Sequence, residues 1–326
     1  MTVREIAALA QVSIATVSRY MADKQSVSAE CRRKIESVLP DSAELTRRGR
    51  KAAVIALLLP CDHFQFYQYA MNELCEQAPE MGFRLAILPA VSNEHTGWYE
   101  MLKALKPCGV IGLNSSLDPE TERWWQENEK ARIVLLGEET RRENVSAVRI
   151  NDIAAVYEGT NYLLGLGHHK ICFFTNHPYE ITTSFQRLTG AQRAMHEAGV
   201  DITPHLRFGS LTYPTGYRLA KELAEKREGY TAIFAFSDEM ALGAITALQD
   251  AGLRVPEDVS VLGIDDLPIA SRARPALTTI HQPLKDMVHK TLELLGAAGT
   301  KSCAAVLPHK LIERGTCRSI KEDESR

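Results

Sequence analysis

Hydroxyl and guanidinium side chains recur at helical spacing close to the N-terminus. In the segment SIATVSRY, Ser13, Thr16 and Ser18 precede Arg19. Hydroxyl groups in proteins contact DNA phosphates, and a guanidinium pairs bidentately with guanine or phosphate. These residue types favour contacts with double-stranded DNA, with Arg19 as the best base or phosphate contact. The alternative is a domain that never touches DNA, since amphipathic three-helix segments are common in such domains.

Local signals predict the short helices that must position these side chains. A turn at Gln11 and Val12 follows a first amphipathic helix, and Ser13 is a good N-cap for a second helix over 14–20. A third helix is expected to start at Ser28. Two short helices joined by a tight turn form a helix-turn-helix, which places its second helix in the major groove. On that second helix Val17 and Met21 fall on the buried face, and Ile14, Ala15, Ser18 and Arg19 fall on the exposed face.

Composition and charge are those of a soluble multidomain protein. A chain of 326 residues with 45% hydrophobic and 24% charged residues predicts two or three globular domains. We expect a cytoplasmic location and no membrane partner, because no apolar run approaches the roughly 18 residues of a membrane span and no signal-peptide core is evident. Residues 1–51 carry ten Lys/Arg and six Asp/Glu, a net charge of +4, which leaves −7 for the remainder. Such asymmetry is expected when one end of a protein meets phosphates.

Cysteine usage and motif searches argue against an enzyme or a metalloprotein. The seven cysteines are scattered and form no C-x-x-C pair, which favours reduced thiols over disulfides or a zinc site. The G-x-S-x-G, G-x-x-x-x-G-K-[ST], H-E-x-x-H and complete G-x-G-x-x-G motifs are all absent. We therefore expect no enzyme activity, no cofactor and no metal. An enzyme or a pure solute-binding protein on a similar scaffold is the competing class.

From residue 52 onward, continuous apolar runs alternate with helix-length amphipathic segments. This alternation predicts βαβ units, and about 270 residues of it predict two doubly wound parallel sheets. The expected strands are 54–59, 85–88, 110–113, 133–136, 171–174, 232–236 and 259–262. The expected helices are 66–81, 97–106, 119–130, 153–166, 184–198, 214–226, 238–251 and 284–296.

The N-terminal motif A-x-V-S-x-x-T-V-S-R runs from Ala10 to Arg19. It resembles the corresponding motif of the lactose/galactose repressor (LacI/GalR) family of bacterial transcription regulators. Further words fall in the family's order, namely GHHKI at 167–171, RLTG at 187–190, SDEMALGA at 237–244, DVSVLGIDD at 258–266 and RPALTTIHQP at 274–283. The resemblance implies an α/β fold, an N-terminal helix-turn-helix DNA-binding domain plus a two-subdomain periplasmic-binding-protein-like core with doubly wound parallel sheets.

The resemblance also implies a domain organisation. We expect a DNA-binding domain over 1–39, a hinge or linker over 40–51, an effector-binding and dimerisation domain over 52–317 and a charged, frayed tail over 318–326. Chain crossings are expected near 151–153, 281–283 and 311–313. They divide the effector domain into an N-subdomain of about 52–151 and 283–311 and a C-subdomain of about 152–282 and 312–317.

The function implied is that of a sequence-specific, ligand-controlled transcription regulator, most simply a repressor. Its expected partners are double-stranded operator DNA and a small-molecule effector, a sugar or sugar derivative, bound in the cleft between subdomains. A homodimer is expected to present two DNA-binding domains to a palindromic operator, with a tetramer as the alternative. The effector is either an inducer or a corepressor.

The resemblance assigns DNA contacts on the second helix. Ile14 and Ala15 match the positions that choose the operator sequence, and their small or apolar side chains would read thymine methyls or shape. The counterpart of Arg19 contacts DNA. Ser13, Thr16, Ser18 and Ser28 are candidate phosphate contacts, with helix capping as the alternative for Ser13 and Ser28.

Two features of this segment depart from the family pattern. Leu45, followed by Arg47, matches a leucine that relatives insert into the minor groove, but the spacer before it is several residues short. An ordinary solvated linker is therefore the alternative reading of both residues. Gln11 stands where a glycine usually makes the left-handed turn, and a residue other than glycine there costs about 1 kcal/mol.

The resemblance also assigns the effector contacts. Arg187 matches an arginine that clamps effector hydroxyls or carboxylates, and Asp265 matches an aspartate that accepts sugar hydroxyls at the end of a strand, where open α/β sheets bind ligands. Phe66 aligns with an aromatic that stacks on the effector, with a core position as the alternative. Ser237 and Asp238 follow another strand end, and helix capping is the equal alternative for both.

Overall fold

A computed structural model provides the structure of the chain. It describes residues 3–22, 26–38, 53–59, 65–89, 98–113, 123–124, 126–128, 131–140, 144–177, 182–297 and 302–320. The chain divides into two compact units, Met1–Ala53 and Val54–Arg326.

The first unit is a small three-helix domain. Its helices are Val3–Leu9 (α1), Ile14–Ala22 (α2) and Ala29–Val38 (α3). All three contribute to one apolar cluster, in which Ile6, Ala7, Ala10, Val17, Tyr20 and Ile35 are buried. The short helices and the tight turn between the first two confirm the predicted helix-turn-helix.

The second unit contains two sheets. The strands are Ala53–Leu59 (β1), Phe83–Pro89 (β2), Gly109–Gly112 (β3), Arg132–Leu136 (β4), Val145–Ile150 (β5), Ile171–Thr175 (β6), Leu206–Phe208 (β7), Ala232–Ala235 (β8), Ser260–Asp265 (β9), Thr278–His281 (β10), Ala304–Leu307 (β11) and Lys310–Ile312 (β12). Six strands form the first sheet in the order β11-β5-β4-β3-β1-β2, and six form the second in the order β12-β10-β9-β8-β6-β7. Each described register is parallel except that of β12, which is antiparallel to β10.

Helices connect these strands and cover the sheets. They are Gln65–Glu80 (α4), Trp98–Leu105 (α5), Asp152–Gly165 (α6), Thr182–Glu197 (α7), Tyr213–Lys226 (α8), Asp238–Asp250 (α9), Pro268–Arg272 (α10) and Leu284–Gly296 (α11). Separate apolar clusters form the core of each sheet layer, one around Leu102, Trp124 and Ile133, the other around Phe174, Met240 and Val261. We call the two layers the first lobe (β1–β5, β11, α4, α5 and α11) and the second lobe (β6–β10, β12 and α6–α10).

The chain crosses between the lobes three times, because β11 returns to the first sheet and β12 to the second. The first two crossings lie at 151 and 282–283. The third lies at 308–309, earlier than the expected 311–313, because Lys310–Ile312 already pairs with β10.

The first residues of the expected frayed tail are ordered. The Arg318 amide donates to Ser260 Oγ at 3.1 Å, and the Ile320 amide donates to the Leu166 carbonyl at 2.9 Å. The expectation of fraying from Arg318 was therefore wrong for 318–320, because these residues hydrogen-bond to the second lobe. Across the described segments, no helix has the length and apolar character needed to cross a membrane.

Candidate DNA-binding face and ligand cavity

The second helix of the first unit separates a buried face from an exposed face. Val17 and Tyr20 are buried, whereas Ile14 is 53% exposed. Ala15, Ser18 and Arg19 are also exposed. An exposed apolar isoleucine beside a guanidinium is the arrangement expected of a helix that packs on base edges and phosphates.

Serine side chains cap the second and third helices. Ser13 Oγ accepts from the Thr16 amide at 3.0 Å and contacts the Thr16 hydroxyl at 2.7 Å. Ser28 Oγ accepts from the Cys31 amide at 3.3 Å. Both serines therefore have the capping role that we gave as the alternative to phosphate contact. The Ser18 side chain remains on the exposed face of α2.

The turn before α2 and one hydrogen bond to α3 hold this helix in place. Gln11 adopts a φ of 51°, the left-handed conformation expected at this turn. The Tyr20 hydroxyl donates to Glu36 Oε1 at 3.1 Å, which ties α2 to α3. Arg19 Nε donates to the Ala15 carbonyl at 3.4 Å, so the guanidinium lies along the exposed face. Leu45 and Arg47, the predicted linker contacts, lie outside the described residues.

A small cavity of about 30 Å³, enough for one or two water molecules, lies between the two lobes of the second unit. Its walls come from segments that follow the carboxyl ends of the strands, as expected for open α/β sheets. The lining residues are Phe66, Tyr67, Leu113, Leu136, Gly137, Glu138, Thr183, Ser184, Arg187, Leu211, Asp265 and Gln282. Three of the five effector contacts that the sequence predicts, Phe66, Arg187 and Asp265, therefore meet here although they are far apart in sequence.

Arg187 lies at the centre of the charged wall and is only 5% exposed. Its Nε donates to Asp152 Oδ1 at 2.8 Å, and its Nη1 donates to the Phe236 carbonyl at 2.6 Å. Its Nη2 lies 4.0 Å from Asp265 Oδ1. Asp152 begins α6, so the ion pair joins two helices of the second lobe. Two of the guanidinium nitrogens are thus committed to protein groups, and Arg187 has a structural as well as a lining role.

Asp265 closes β9 with a φ of 123°, in the left-handed half of backbone space. Its Oδ1 accepts from Gln282 Nε2 at 2.7 Å. Its Oδ2 is buried and has no hydrogen-bond partner among the described residues. Burial raises the pKa of this carboxyl to about 7, although Arg187 opposes the shift.

Glu138 is a cavity residue that the sequence reasoning missed. It follows β4, it is 5% exposed, and its Oε2 has no hydrogen-bond partner within the described part of the chain. Burial raises the pKa of its carboxyl to about 7, opposed by hydrogen bonds from Thr183 and by the charge of Arg187. The rule that ligands bind at carboxyl ends of strands would have found Glu138, because it lies two residues beyond the apolar run 133–136.

The aromatic wall depends on a glycine. Phe66 is 4% exposed on the first turn of α4. Gly137 has a φ of +84°, and a Cβ there would lie 3.3 Å from Phe66 Cε1. A side chain at 137 would therefore be strained and would press on the ring. Phe66 is both buried and part of the cavity lining. Its position is therefore compatible with a core residue and with an aromatic ring that stacks on a ligand.

Ser237 and Asp238 do not line the cavity, which corrects their assignment as effector contacts. Ser237 Oγ accepts from the Met240 amide at 3.2 Å and donates to the Leu211 carbonyl at 3.2 Å. Asp238 Oδ1 accepts from the Thr279 hydroxyl at 2.5 Å, and its Oδ2 accepts from the Leu267 amide at 2.8 Å. Protein groups therefore satisfy the polar atoms of both side chains. They cap α9 and hold the loop that follows β9.

Direct contacts join the lobes around the cavity. Glu239 Oε2 accepts from the amide of Gln65, at the N-terminus of α4, at 3.2 Å. The Thr183 hydroxyl donates to the Gly137 carbonyl at 3.4 Å, and Gln186 donates to Glu139. The structure is therefore that of a cleft whose two walls touch.

Comparisons with known proteins identify the family. Residues 2–42 match the family described as bacterial regulatory proteins, lacI family, and residues 160–317 match the periplasmic binding protein-like domain. The chain is 31% identical over 332 residues to the HTH-type transcriptional regulator DegA of Bacillus subtilis, covering 96% of this chain and 97% of that protein. The chain belongs to the LacI family.

Other LacI-family proteins match over nearly the whole chain. The HTH-type transcriptional regulator MalR of Clostridium butyricum is 29% identical, with 98% of this chain and 100% of that protein covered. The solved transcriptional regulator CelR–cellobiose complex is 27% identical with a TM-score of 0.70, covering 97% of this chain and 99% of that chain. The lac repressor dimer bound to operator and the anti-inducer ONPF shares the fold, with 23% identity, a TM-score of 0.71 and coverage of 98% and 99%.

Family membership decides between the classes considered from the sequence. The LacI-family relatives are transcription regulators, so this chain is a DNA-binding transcription regulator and not an enzyme. The predicted fold class, a helix-turn-helix domain joined to a periplasmic-binding-protein-like α/β core, is confirmed.

Proposed function

We propose that this LacI-family regulator is a cytoplasmic, homodimeric repressor whose operator affinity is controlled by a sugar or sugar derivative in the cavity between its lobes. One observation carries the ligand part of the proposal. Glu138 and Asp265 line the same cavity as Arg187 and Phe66, and each has a buried carboxyl oxygen without a partner among the described residues. Hydroxyl groups of a polyol would satisfy such acceptors, and an aromatic ring would cover its apolar face.

Control of DNA binding by this cavity follows from linkage. A ligand that contacts both lobes favours one cleft geometry. It changes operator affinity if the placement of the two DNA-binding domains of the dimer depends on that geometry. A coupling of about 1–3 kcal/mol, or roughly 5–150-fold in affinity, is typical of such switches. The CelR structure in complex with cellobiose supports a sugar as the ligand class.

In the first unit, we propose that Arg19, Ile14 and Ala15 read bases while Ser18 contacts phosphates. Arg19→Ala should weaken operator binding by about 1–3 kcal/mol, roughly 5–150-fold, with a smaller loss on non-specific DNA. Arg193→Ala is the matched control, because it removes an exposed guanidinium from a helix of the second unit.

The test begins with selection of bound sequences from random DNA by the full-length protein. Fluorescence anisotropy then measures operator affinity for the wild type and both variants, with and without any sugar, sugar phosphate or sugar acid that raises the melting temperature. Failure to enrich a sequence would refute the operator-binding role. An enriched operator whose affinity no stabilising ligand changes would refute ligand control.

A further inference from the structure

The charges that face the cavity limit what it can bind. Arg187 carries the positive charge of the described lining, and Asp152 already neutralises it at 2.8 Å. Glu138 and Asp265 add two carboxyl groups, both at least nine-tenths buried. An anionic ligand would enter a site whose one guanidinium is paired and whose other charged groups repel it.

The hydrogen-bonding groups of the cavity lining also favour a ligand without negative charge. Glu138 Oε2 and Asp265 Oδ2 are acceptors without donors in the described residues, whereas two nitrogens of Arg187 already donate to protein groups. Buried polar atoms of folded proteins almost always have partners. Two orphaned acceptors on one cavity therefore need donors that the described residues do not supply, and a ligand with several hydroxyl or amino groups can donate to both.

We propose that Glu138 is a ligand-binding residue, acting with Asp265, and that the cavity selects a ligand that donates hydroxyl or amino hydrogens and carries no phosphate or carboxylate. This inference rests on the proposed function and narrows it, because sugar phosphates and sugar acids are then excluded as effectors. Neutral sugars and amino sugars are the classes that fit.

Neighbouring groups give the site a defined response to pH. Glu138 faces Thr183 and Arg187 on α7 and Asp152 on α6. Asp265 also faces Arg187 and Asp152. It further faces Gln282, which follows β10, and Glu239 on α9.

The burial-raised pKa of Glu138, about 7, lies above that of an unfolded glutamate, about 4.3. The folded state therefore binds this proton more tightly, and the associated stability is present at low pH and is lost as pH rises through 7. A ligand that donates to the ionised carboxylate binds more tightly above pH 7, whereas an anionic ligand would bind more tightly below it.

The first test needs no ligand. Glu138→Gln removes a buried charge and should raise Tm at pH 8 by about 2–4 °C, with a smaller gain at pH 5.5, where the wild-type carboxyl is already protonated. Glu139→Gln is the matched control. The carboxylate of Glu139 pairs with Arg149 at 3.4 Å, so its replacement should give no gain in Tm. An unchanged or lower Tm for Glu138→Gln at pH 8 would overturn the proposal. A lower Tm would also mean that the carboxylate stabilises the fold.

The second test uses matched probes in thermal shift and calorimetry: glucose, glucosamine, gluconate, glucose 6-phosphate, ribose, ribose 5-phosphate and cellobiose. Stabilisation is expected from neutral or amino-bearing probes alone, and at least tenfold of that affinity should be lost in Glu138→Gln. An anionic probe that binds wild type, and binds the variant more tightly, would overturn the proposal. A screen in which no neutral or amino-bearing probe binds would overturn the proposal.

Operator binding separates this proposal from the proposed function. Arg193→Ala, at an exposed position outside the cavity lining, should bind operator and probes as the wild type does. A protein that gives the expected Tm and probe results but never changes its operator affinity would refute ligand control and leave the chemistry of the cavity intact.

Discussion

Arg187→Ala tests how the charged wall of the cavity is held together. The substitution removes the partner of Asp152, which accepts from Arg187 Nε at 2.8 Å and whose side chain is 3% exposed. It also removes the donor to the Phe236 carbonyl at 2.6 Å. Breaking a buried ion pair by removing one partner costs about 3–5 kcal/mol, because the other charge is left uncompensated. We expect the free energy of unfolding to fall by that amount at pH 8.

The loss should depend on pH with a defined sign. Burial already raises the pKa of Asp152, and the charge of Arg187 opposes that rise. Without the guanidinium, the folded-state pKa rises further above the unfolded value. Stability contributed by the bound proton is present at low pH and is lost as pH rises, so the deficit of the variant should be larger at pH 8 than at pH 5.

Urea denaturation of the wild type and three variants at both pH values would measure these effects. Arg193→Ala, on the same helix, breaks an exposed pair with Glu197 and should leave the free energy of unfolding nearly unchanged. Asp152→Asn combined with Arg187→Ala should recover part of the loss, because the buried charge is gone. A deficit below about 1 kcal/mol at pH 8, or one that does not shrink at pH 5, would refute this account of the pair.

Three further predictions concern the first unit, the contact between lobes and the linker. Gln11→Gly should stabilise the first unit by up to about 1 kcal/mol, because the φ of 51° suits glycine; slower amide exchange in α2 would show it, and faster exchange would contradict it. Glu239→Ala removes the acceptor of the Gln65 amide at 3.2 Å and should cost α4 about 0.5–2 kcal/mol of capping; unchanged exchange in its first turn would argue against this role. Leu45→Ala should lower specific operator affinity more than non-specific affinity, whereas a proportional loss in gel shifts would make Leu45 an ordinary linker residue.

Features that depend on near neighbours in sequence could be predicted from the sequence. The cap from Ser13 to the Thr16 amide spans three residues, and the buried face of α2 follows from helical periodicity. The strands that were predicted and most helix bounds agree with the structure within about three residues for the same reason. Val145–Ile150, Thr278–His281 and Ala304–Leu307 were not predicted. The word TVSR, at 16–19, was then enough to predict the family.

Short strands and the path of the chain were not predictable in this way. Leu206–Phe208 and Lys310–Ile312 have three residues each, too few for a periodic signal. They become strands because a sheet edge is available to them. The third crossing lies at 308–309 for that reason, since pairing with β10 begins at Lys310.

The chemistry of the cavity was decided by tertiary structure. The sequence determined that Arg187 and Asp265 are the residue types a ligand site needs, but not that Asp152, 35 residues before Arg187, takes one guanidinium nitrogen. It also could not show that Asp238 has both oxygens satisfied while Glu138 retains an unpartnered one. Helix faces and caps arise from interactions over three or four residues, which a linear pattern records. Which buried carboxylates gain partners depends on how two sheets and three crossings bring distant segments together, and only the folded chain sets that arrangement.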